Sequence, residues 1–322
     1  MRPISLPDVA YGATAVRPLW SDLPETLRQA ISARLGASIA SAQSAGGGFT
    51  RAFAAILTTS AGLSVFVKAA PLKDPTSQWY AREGALTSAL PEAVSAARPL
   101  WTMVDSGYFA LCLEAIDGHV PSLPWSPVEL ESALSAWSAA AEALREPTPE
   151  LLAVGVPALP DILRGEMSWW SEIESGREPM PRTARSTIAP TRVRELAALE
   201  RGLPALAAGA AMMHGDLRID NVLIDRGGQA WLCDWTWPCL GAPWFDTVTL
   251  LVSAFASGLD TDALLSPWDA PDEGVDGALA ALAGYWLIRA DGTPSSASPH
   301  SRQHQRFSGE QALAWLAERR GW

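Results

Sequence analysis

The segment His214-Gly215-Asp216-Leu217-Arg218-Ile219-Asp220-Asn221, followed thirteen residues later by Asp234, carries more chemistry than any other stretch of this 322-residue chain. Between its two parts, Val222 to Ile224 and Ala230 to Cys233 are short apolar runs on either side of Asp225-Arg226-Gly227-Gly228, the pattern of a tight hairpin. Such a hairpin returns Asp234 to the loop that holds Asp216 and Asn221. Taken singly, each residue has a plainer reading, because Asp and Asn are turn formers and a lone His is often a satisfied core residue. The joint pattern is what distinguishes the segment.

Upstream, Leu23, Leu27, Ile31 and Leu35 share one face of a short helix. The chain then reads as strand, glycine loop, strand, turn, strand: Gly46, Gly47 and Gly48 precede the apolar runs Phe49 to Leu57 and Leu63 to Ala69. Thr76 to Leu90 has a helical pattern, and Leu100 to Val104 with Phe109 to Ala115 form two strands around Asp105-Ser106-Gly107. From Ser126 the chain turns helical, with Ser126, Pro127 and Glu129 fitting a capping box. Glu146 to Pro190 reads as irregular apart from a short helix near Trp169, and Thr191 to Leu203 as a helix. After the hairpin, helices are expected over Phe245 to Ala256, Val275 to Arg289 and Glu310 to Arg320, with a loop from Thr293 to Ser301. No repeat of fixed period is present.

Phosphoryl transfer needs a carboxylate at the acceptor hydroxyl and oxygen ligands for magnesium on the nucleotide phosphates. Asp216 and Asn221, five residues apart on one loop, can supply both, and Asp234 would complete the metal site. HGDLRIDN followed by a hairpin and Cys233-Asp234-Trp235 resembles the catalytic segment of the aminoglycoside phosphotransferase and choline kinase family, which has the protein-kinase-like fold. Gly241-Ala242-Pro243-Trp244-Phe245-Asp246 continues the resemblance. The glycine loop, Lys68 and Glu83 stand in the family's order upstream, so the matching positions span residues 46 to 246.

The resemblance implies an α+β architecture of two lobes: an antiparallel sheet with one helix over residues 1–116, and a larger, mainly helical lobe over residues 117–322. It implies ATP, with GTP as the alternative nucleotide, and Mg2+. Asp216 matches the catalytic aspartate, and Asn221 and Asp234 match the metal ligands. Gly46, Gly47 and Gly48 would lie over the phosphates as a flexible strand turn. Lys68 would hold the α and β phosphates, paired with Glu83. Leu113 to Ile116, including Glu114 and Ile116, would offer backbone groups to the adenine edge. His214 and Asp246 would brace the loop. Arg218 either steadies the transferring phosphoryl group or faces solvent. Asp234 is followed by Trp235-Thr236 where protein kinases carry Phe-Gly, and no activation-loop signature appears, so no protein substrate is expected.

Composition narrows the partners. The formal charge of −11 argues against a nucleic-acid or anionic-membrane binder. No apolar run reaches the length of a membrane span. Met1 to Gly12 has Pro3 and Pro7 and no apolar leader, and the three cysteines form no CxxC pair, so a cytoplasmic protein with free thiols is expected. Only Lys68 and Lys73 are lysines, which makes the placing of Lys68 at the phosphate position informative. For the acceptor, a small-molecule hydroxyl is expected, with an antibiotic, choline, homoserine or a sugar left open. A pseudokinase-like module that binds nucleotide without transfer is the rival. Asp260, Asp262, Asp269, Asp272, Glu273 and Asp276 could recruit a cationic acceptor or form a solvated loop. Arg177, Arg182, Arg185, Arg192 and Arg194 could contact an anionic one. Among the 15 tryptophans, Trp169, Trp170, Trp235 and Trp237 could wall a pocket, though most are expected in the core. Oligomeric state is not legible.

Overall fold

A computed structural model describes residues 2–184, 188–292 and 297–322. Helix α1 (Glu25–Leu35) precedes strands β1 (Ile39–Ser44), β2 (Phe53–Thr59) and β3 (Ser64–Pro71), then helix α2 (Thr76–Ala89) and strands β4 (Pro99–Asp105) and β5 (Tyr108–Glu114). The strands form one antiparallel sheet in the order β1-β2-β3-β5-β4. Strand side chains alternate between faces, and the apolar residues obey that period. Phe53, Ala55, Leu57, Val65, Val67 and Ala69 pack with Leu27 and Ile31 of α1. The intervening positions of β3, among them Lys68, fall on the other face, where Ala70 and Leu111 pack with Tyr80 of α2.

Beyond β5 the chain forms β6 (Gly118–His119) and α3 (Pro127–Ala143), then α4 (Pro149–Ala153), α5 (Leu159–Glu166), α6 (Trp169–Glu174) and α7 (Pro190–Leu206). Strand β7 (Ala211–Met213) leads into the hairpin β8 (Val222–Asp225) and β9 (Ala230–Leu232), and β10 (Cys239–Gly241) pairs back on β7. Helices α8 (Trp244–Ala256), α9 (Thr261–Leu265), α10 (Asp272–Asp291) and α11 (Ser301–Arg320) complete the helical lobe. Every residue of α8 is buried, which explains why its sequence is apolar all round.

Several sequence expectations need correction. Glu146 to Pro190 holds three helices, because Pro149 and Pro160 stand in first turns, where a missing N–H costs nothing. Ser126 makes no side-chain cap, and the Glu129 carboxylate meets His119 at 2.9 Å instead. Helix α11 begins at Ser301, nine residues before the expected Glu310, because its first half buries Ser301, His304 and Gly309 and so lacks an apolar stripe. Phe49 to Ala52 belong to the glycine loop, with β2 starting at Phe53. Part of the loop expected over Thr293 to Ser301 lies outside the described residues. No described helix is long and apolar enough to cross a membrane.

Residues 2–17 form a strap that touches both lobes. Arg2 pairs with Glu318 at 2.7 Å, Ser5 N–H donates to Ala256 O, and Tyr11 is buried in the helical core against the His304 ring. The same strap then crosses the glycine loop. Ala15 N–H donates to Gly46 O at 2.9 Å, Thr14 Oγ1 to Gly48 O at 3.3 Å, and Arg17 Nη2 to Gly47 O at 3.0 Å. The boundary drawn at residue 116 counts the strap with the sheet, yet its first half is fastened to α8 and α11. The triglycine has a local cause here. A Cβ on Gly46 would fall on Gly12 O, and Gly48 sits at φ +90° with the Arg17 guanidinium 2.8 Å from where its Cβ would stand. The loop is therefore tied down by the strap, which replaces the expectation of a free strand turn.

Two predictions test this packing. Gly46→Ala should dislodge the strap and speed exchange of the Ala15 amide about ten-fold or more. Gly202→Ala, in α7 with open space around it, should instead stabilise by about 0.5–1 kcal/mol. Glu200 is the second test: it accepts Trp170 N–H at 2.7 Å, and burial pushes its pKa up from 4.5 to about 7. Between those values the unfolded chain releases a proton that the folded chain keeps, so folding stability falls as pH rises from 4.5 to 7 and is level above. Glu200→Gln should remove up to about 3 kcal/mol of that fall, measured by urea unfolding at pH 5 and pH 8.

Candidate active site

One cavity of about 380 Å³ lies between the sheet and the helical lobe. Gly46, Gly47, Gly48, Lys68, Glu83, Glu114, Ile116, Asn221 and Asp234 all line it. Asp216 and Arg218 stand beside it, joined to its wall through Asn221 and Asp220.

Lys68 reaches the cavity from the centre of β3, opposite Ala54 and Leu111, and Glu83 comes from α2 behind it. Lys68 Nζ donates to both carboxylate oxygens of Glu83, at 2.7 and 2.6 Å. Burial works against the Lys68 charge, but Glu83 and then Asp234 outweigh it and hold its pKa above the ordinary value. Arg82, the neighbour of Glu83, points the other way and donates to Thr236 O, Val154 O and Gly155 O, fastening α2 to the helical lobe.

The loop after β7 is built by its own polar groups. His214 is fully buried, donates from Nε2 to Cys233 O at 2.9 Å and accepts from Asp216 N–H at Nδ1. Burial pushes its pKa down to about 4, so the ring is neutral. Asp246, at the start of α8, accepts Gly215 N–H at 3.1 Å. Asn221 Nδ2 donates to Asp216 O at 2.7 Å and to Asp216 Oδ2 at 3.3 Å, which leaves the amide oxygen for another partner. Arg218 grips Asp220 through Nε and Nη2, at 3.0 and 2.9 Å, and donates from Nη1 to Asp216 Oδ1. Burial raises the Asp216 pKa to about 7 against the opposing pull of Arg218.

Asp234 follows β9 with φ +63°, the left-handed region that Asp tolerates better than most residues. Its Oδ1 accepts the Thr236 hydroxyl at 2.6 Å. Burial opposes its charge, but Lys68 and that hydroxyl hold its pKa below the ordinary carboxylate value. Glu114 faces outward and accepts Arg98 N–H at 3.0 Å. Among the described residues no three His, Cys, Asp or Glu side chains cluster as a metal cage. Mg2+ does not require one: it keeps several waters and takes one or two protein oxygens beside substrate phosphates. Asp234 and the amide oxygen of Asn221 fit that role.

Two expectations about the acceptor change. The acidic stretch near α9 and α10 is partly paired, since Arg319 meets Asp262, Asp272 and Asp276, and Arg320 meets Asp276, two arginines against six acids. The arginines before the loop mostly meet glutamates: Arg177 with Glu172, Arg192 with Glu195 and Arg194 with Glu174. Arg182 offers its backbone N–H to Asp291, and Arg185 lies outside the described residues. Trp170 and Trp235 are fully buried, Trp169 donates from Nε1 to Glu166 O, and half-exposed Trp237 meets Trp79 edge-on at 5.5 Å. Sequence reading missed Arg17 and Asp220. Arg17 carries no motif, whereas Asp220 sits in the quoted segment with an arginine two residues before it.

Comparison with known proteins bears on the family and the fold. Residues 41–285 match the phosphotransferase enzyme family (APH). Among curated proteins none matches the chain. Solved structures do. A thermostable aminoglycoside phosphotransferase APH(4)-Ia, in ternary complex with AMP-PNP and hygromycin B, aligns with TM-score 0.62 and 11% identity over 91% of this chain and 98% of its own. Choline kinase LicA from Streptococcus pneumoniae aligns at 0.58 and 14% identity, over 91% and 98%. Macrolide 2′-phosphotransferase MphH from Brachybacterium faecium aligns at 0.55 and 17% identity, over 88% and 97%. These identities speak for the protein-kinase-like fold alone, while the family match covers most of the chain: it belongs to the phosphotransferase enzyme family.

Proposed function

We propose that the chain transfers the γ-phosphoryl group of ATP to a hydroxyl of a small molecule. The observation that carries this reading is the convergence of the Lys68–Glu83 pair, Asn221 and Asp234 on one cavity, with Asp216 at its edge. In this reading residues 1–116 form the nucleotide lobe and residues 117–322 the acceptor lobe. Adenine lies against the backbone of Glu114 and Ile116, and the phosphates lie under Gly46 to Gly48. Lys68 holds the α and β phosphates, and Glu83 keeps the ammonium in place by accepting from it with both carboxylate oxygens. Asn221 and Asp234 hold Mg2+, which when bound neutralises charge on the phosphates.

Asp216 orients the acceptor hydroxyl and takes its proton as the hydroxyl oxygen bonds to the γ-phosphorus and the bond to the bridging oxygen breaks, releasing ADP. Arg218 keeps the Asp216 carboxylate in position from one side and Asn221 from the other. Catalysis then rests mostly on placement and charge complementarity. Arg319 and Arg320 offset part of the acid charge near α9 and α10, and the patch keeps a net negative charge that suits a cationic acceptor. Three free cysteines suit a reducing cytoplasm.

The test is to incubate the protein with ATP, Mg2+ and a pooled panel of hydroxylated amines, sugars and antibiotics, reading products by mass spectrometry for a phosphate-sized gain. Asp216→Asn should lower turnover of any hit by about 10²–10⁴-fold while leaving nucleotide binding intact. Turnover equal to wild type would remove Asp216 from the role of base, and transfer to no panel member despite Mg·ATP binding would favour a silent nucleotide-binding module.

A further inference from the structure

The cavity has a cation that no motif announces. Arg17 comes from the strap, and it lines the same cavity as Lys68. Nη1 donates to Ala52 O at 3.1 Å and Nη2 to Gly47 O at 3.0 Å, so the guanidinium is held inside the hairpin that joins β1 to β2. Its Nε is buried and has no hydrogen-bond partner among the described residues. Arg17 forms no ion pair among the described residues, whereas Lys68 on the same cavity wall is taken by Glu83. Tyr80, whose ring centroid lies 5.3 Å from Lys68 Nζ, feels the charge of both Lys68 and Arg17.

A guanidinium without a carboxylate, fixed by two backbone carbonyls and lining a cleft, is arranged to receive an anion. The loop carbonyls cannot do this, and the one ammonium present is already paired. We infer that Arg17 is a phosphate-binding residue of the nucleotide site, supplied by the N-terminal strap to the β and γ phosphates beneath the glycine loop. This rests on the nucleotide occupying the cavity as proposed above. The strap then has two tasks: it ties the loop to the helical lobe, and it delivers the second positive charge that a triphosphate needs.

The experiment is calorimetry on the full chain with Mg·ATP and, separately, with adenosine, which fills the base site and has no phosphate. Arg17→Gln should weaken Mg·ATP by about ten- to a hundred-fold, the worth of one charge-assisted hydrogen bond, and leave adenosine within about two-fold. Arg17→Lys, which keeps the charge and loses the fork to the two carbonyls, should recover most of the Mg·ATP affinity. A loss shared equally by ATP and adenosine, or equal damage from both variants, would make Arg17 a loop clamp and overturn the inference. Unchanged Mg·ATP affinity in Arg17→Gln would overturn it outright. Wild-type protein that binds neither probe would overturn the functional reading along with it, whereas wild-type binding with an indifferent Arg17 leaves that reading standing.

Discussion

The active-site cleft depends on the buried ion pair between Lys68 and Glu83. Two charges removed from water cost several kcal/mol each, which only close pairing offsets, and losing one partner of such a pair costs about 3–5 kcal/mol. The pair therefore fixes the spacing between the centre of β3 and the middle of α2. Neighbouring Arg82 carries the constraint onward, with three bonds to backbone oxygens of the helical lobe, one of them on the segment that follows Asp234. Sheet, helix and the loop that follows Asp234 are thus referred to one another through two adjacent residues of opposite charge on α2.

This explains which parts of the protein were legible in the sequence. Lys68 stood out because lysine is scarce and because the period of two along β3 puts it on the face opposite Val65 and Val67. Asp216, Asn221 and Asp234 were legible because a loop and a hairpin of fixed length leave little freedom in where their side chains meet. The strands and the buried helices announced themselves through apolar period. The segment from Glu146 to Pro190 did so only at α6, since α4 and α5 are short and carry in their first turns prolines that read as breakers until those positions are known. The start of α11 was hidden for a different reason: it packs with Ser301, His304 and Gly309, so its buried face is small and polar.

Charge was legible as a total and misleading as a pattern. An acidic run with no basic residue nearby in sequence looks like an open field, yet Arg319 and Arg320 return from the end of the chain and bond to it. Tertiary pairing over more than forty residues is invisible to local composition. The same holds for Arg17, which looks like one surface arginine among many until the chain folds beneath the glycine loop.

The strap also changes the meaning of the triglycine. A glycine-rich turn over a nucleotide is ordinarily explained by close approach of phosphate to backbone. Here, in the protein alone, side chains at Gly46 and Gly48 would already strike Gly12 O and Arg17. The two explanations are coupled, because the strap that forbids a Cβ is the one that places Arg17 in the cavity. Loop and strap thus have to be chosen together. A substitution that preserved the strap and filled the loop would break the crossing, and one that kept the glycines and lost Arg17 would leave the loop without its tether to Gly47 O and Ala52 O. The loop's position over the cleft is for this reason a property of residues thirty or more positions apart, and residues 12–17 of the strap are part of the cleft's construction.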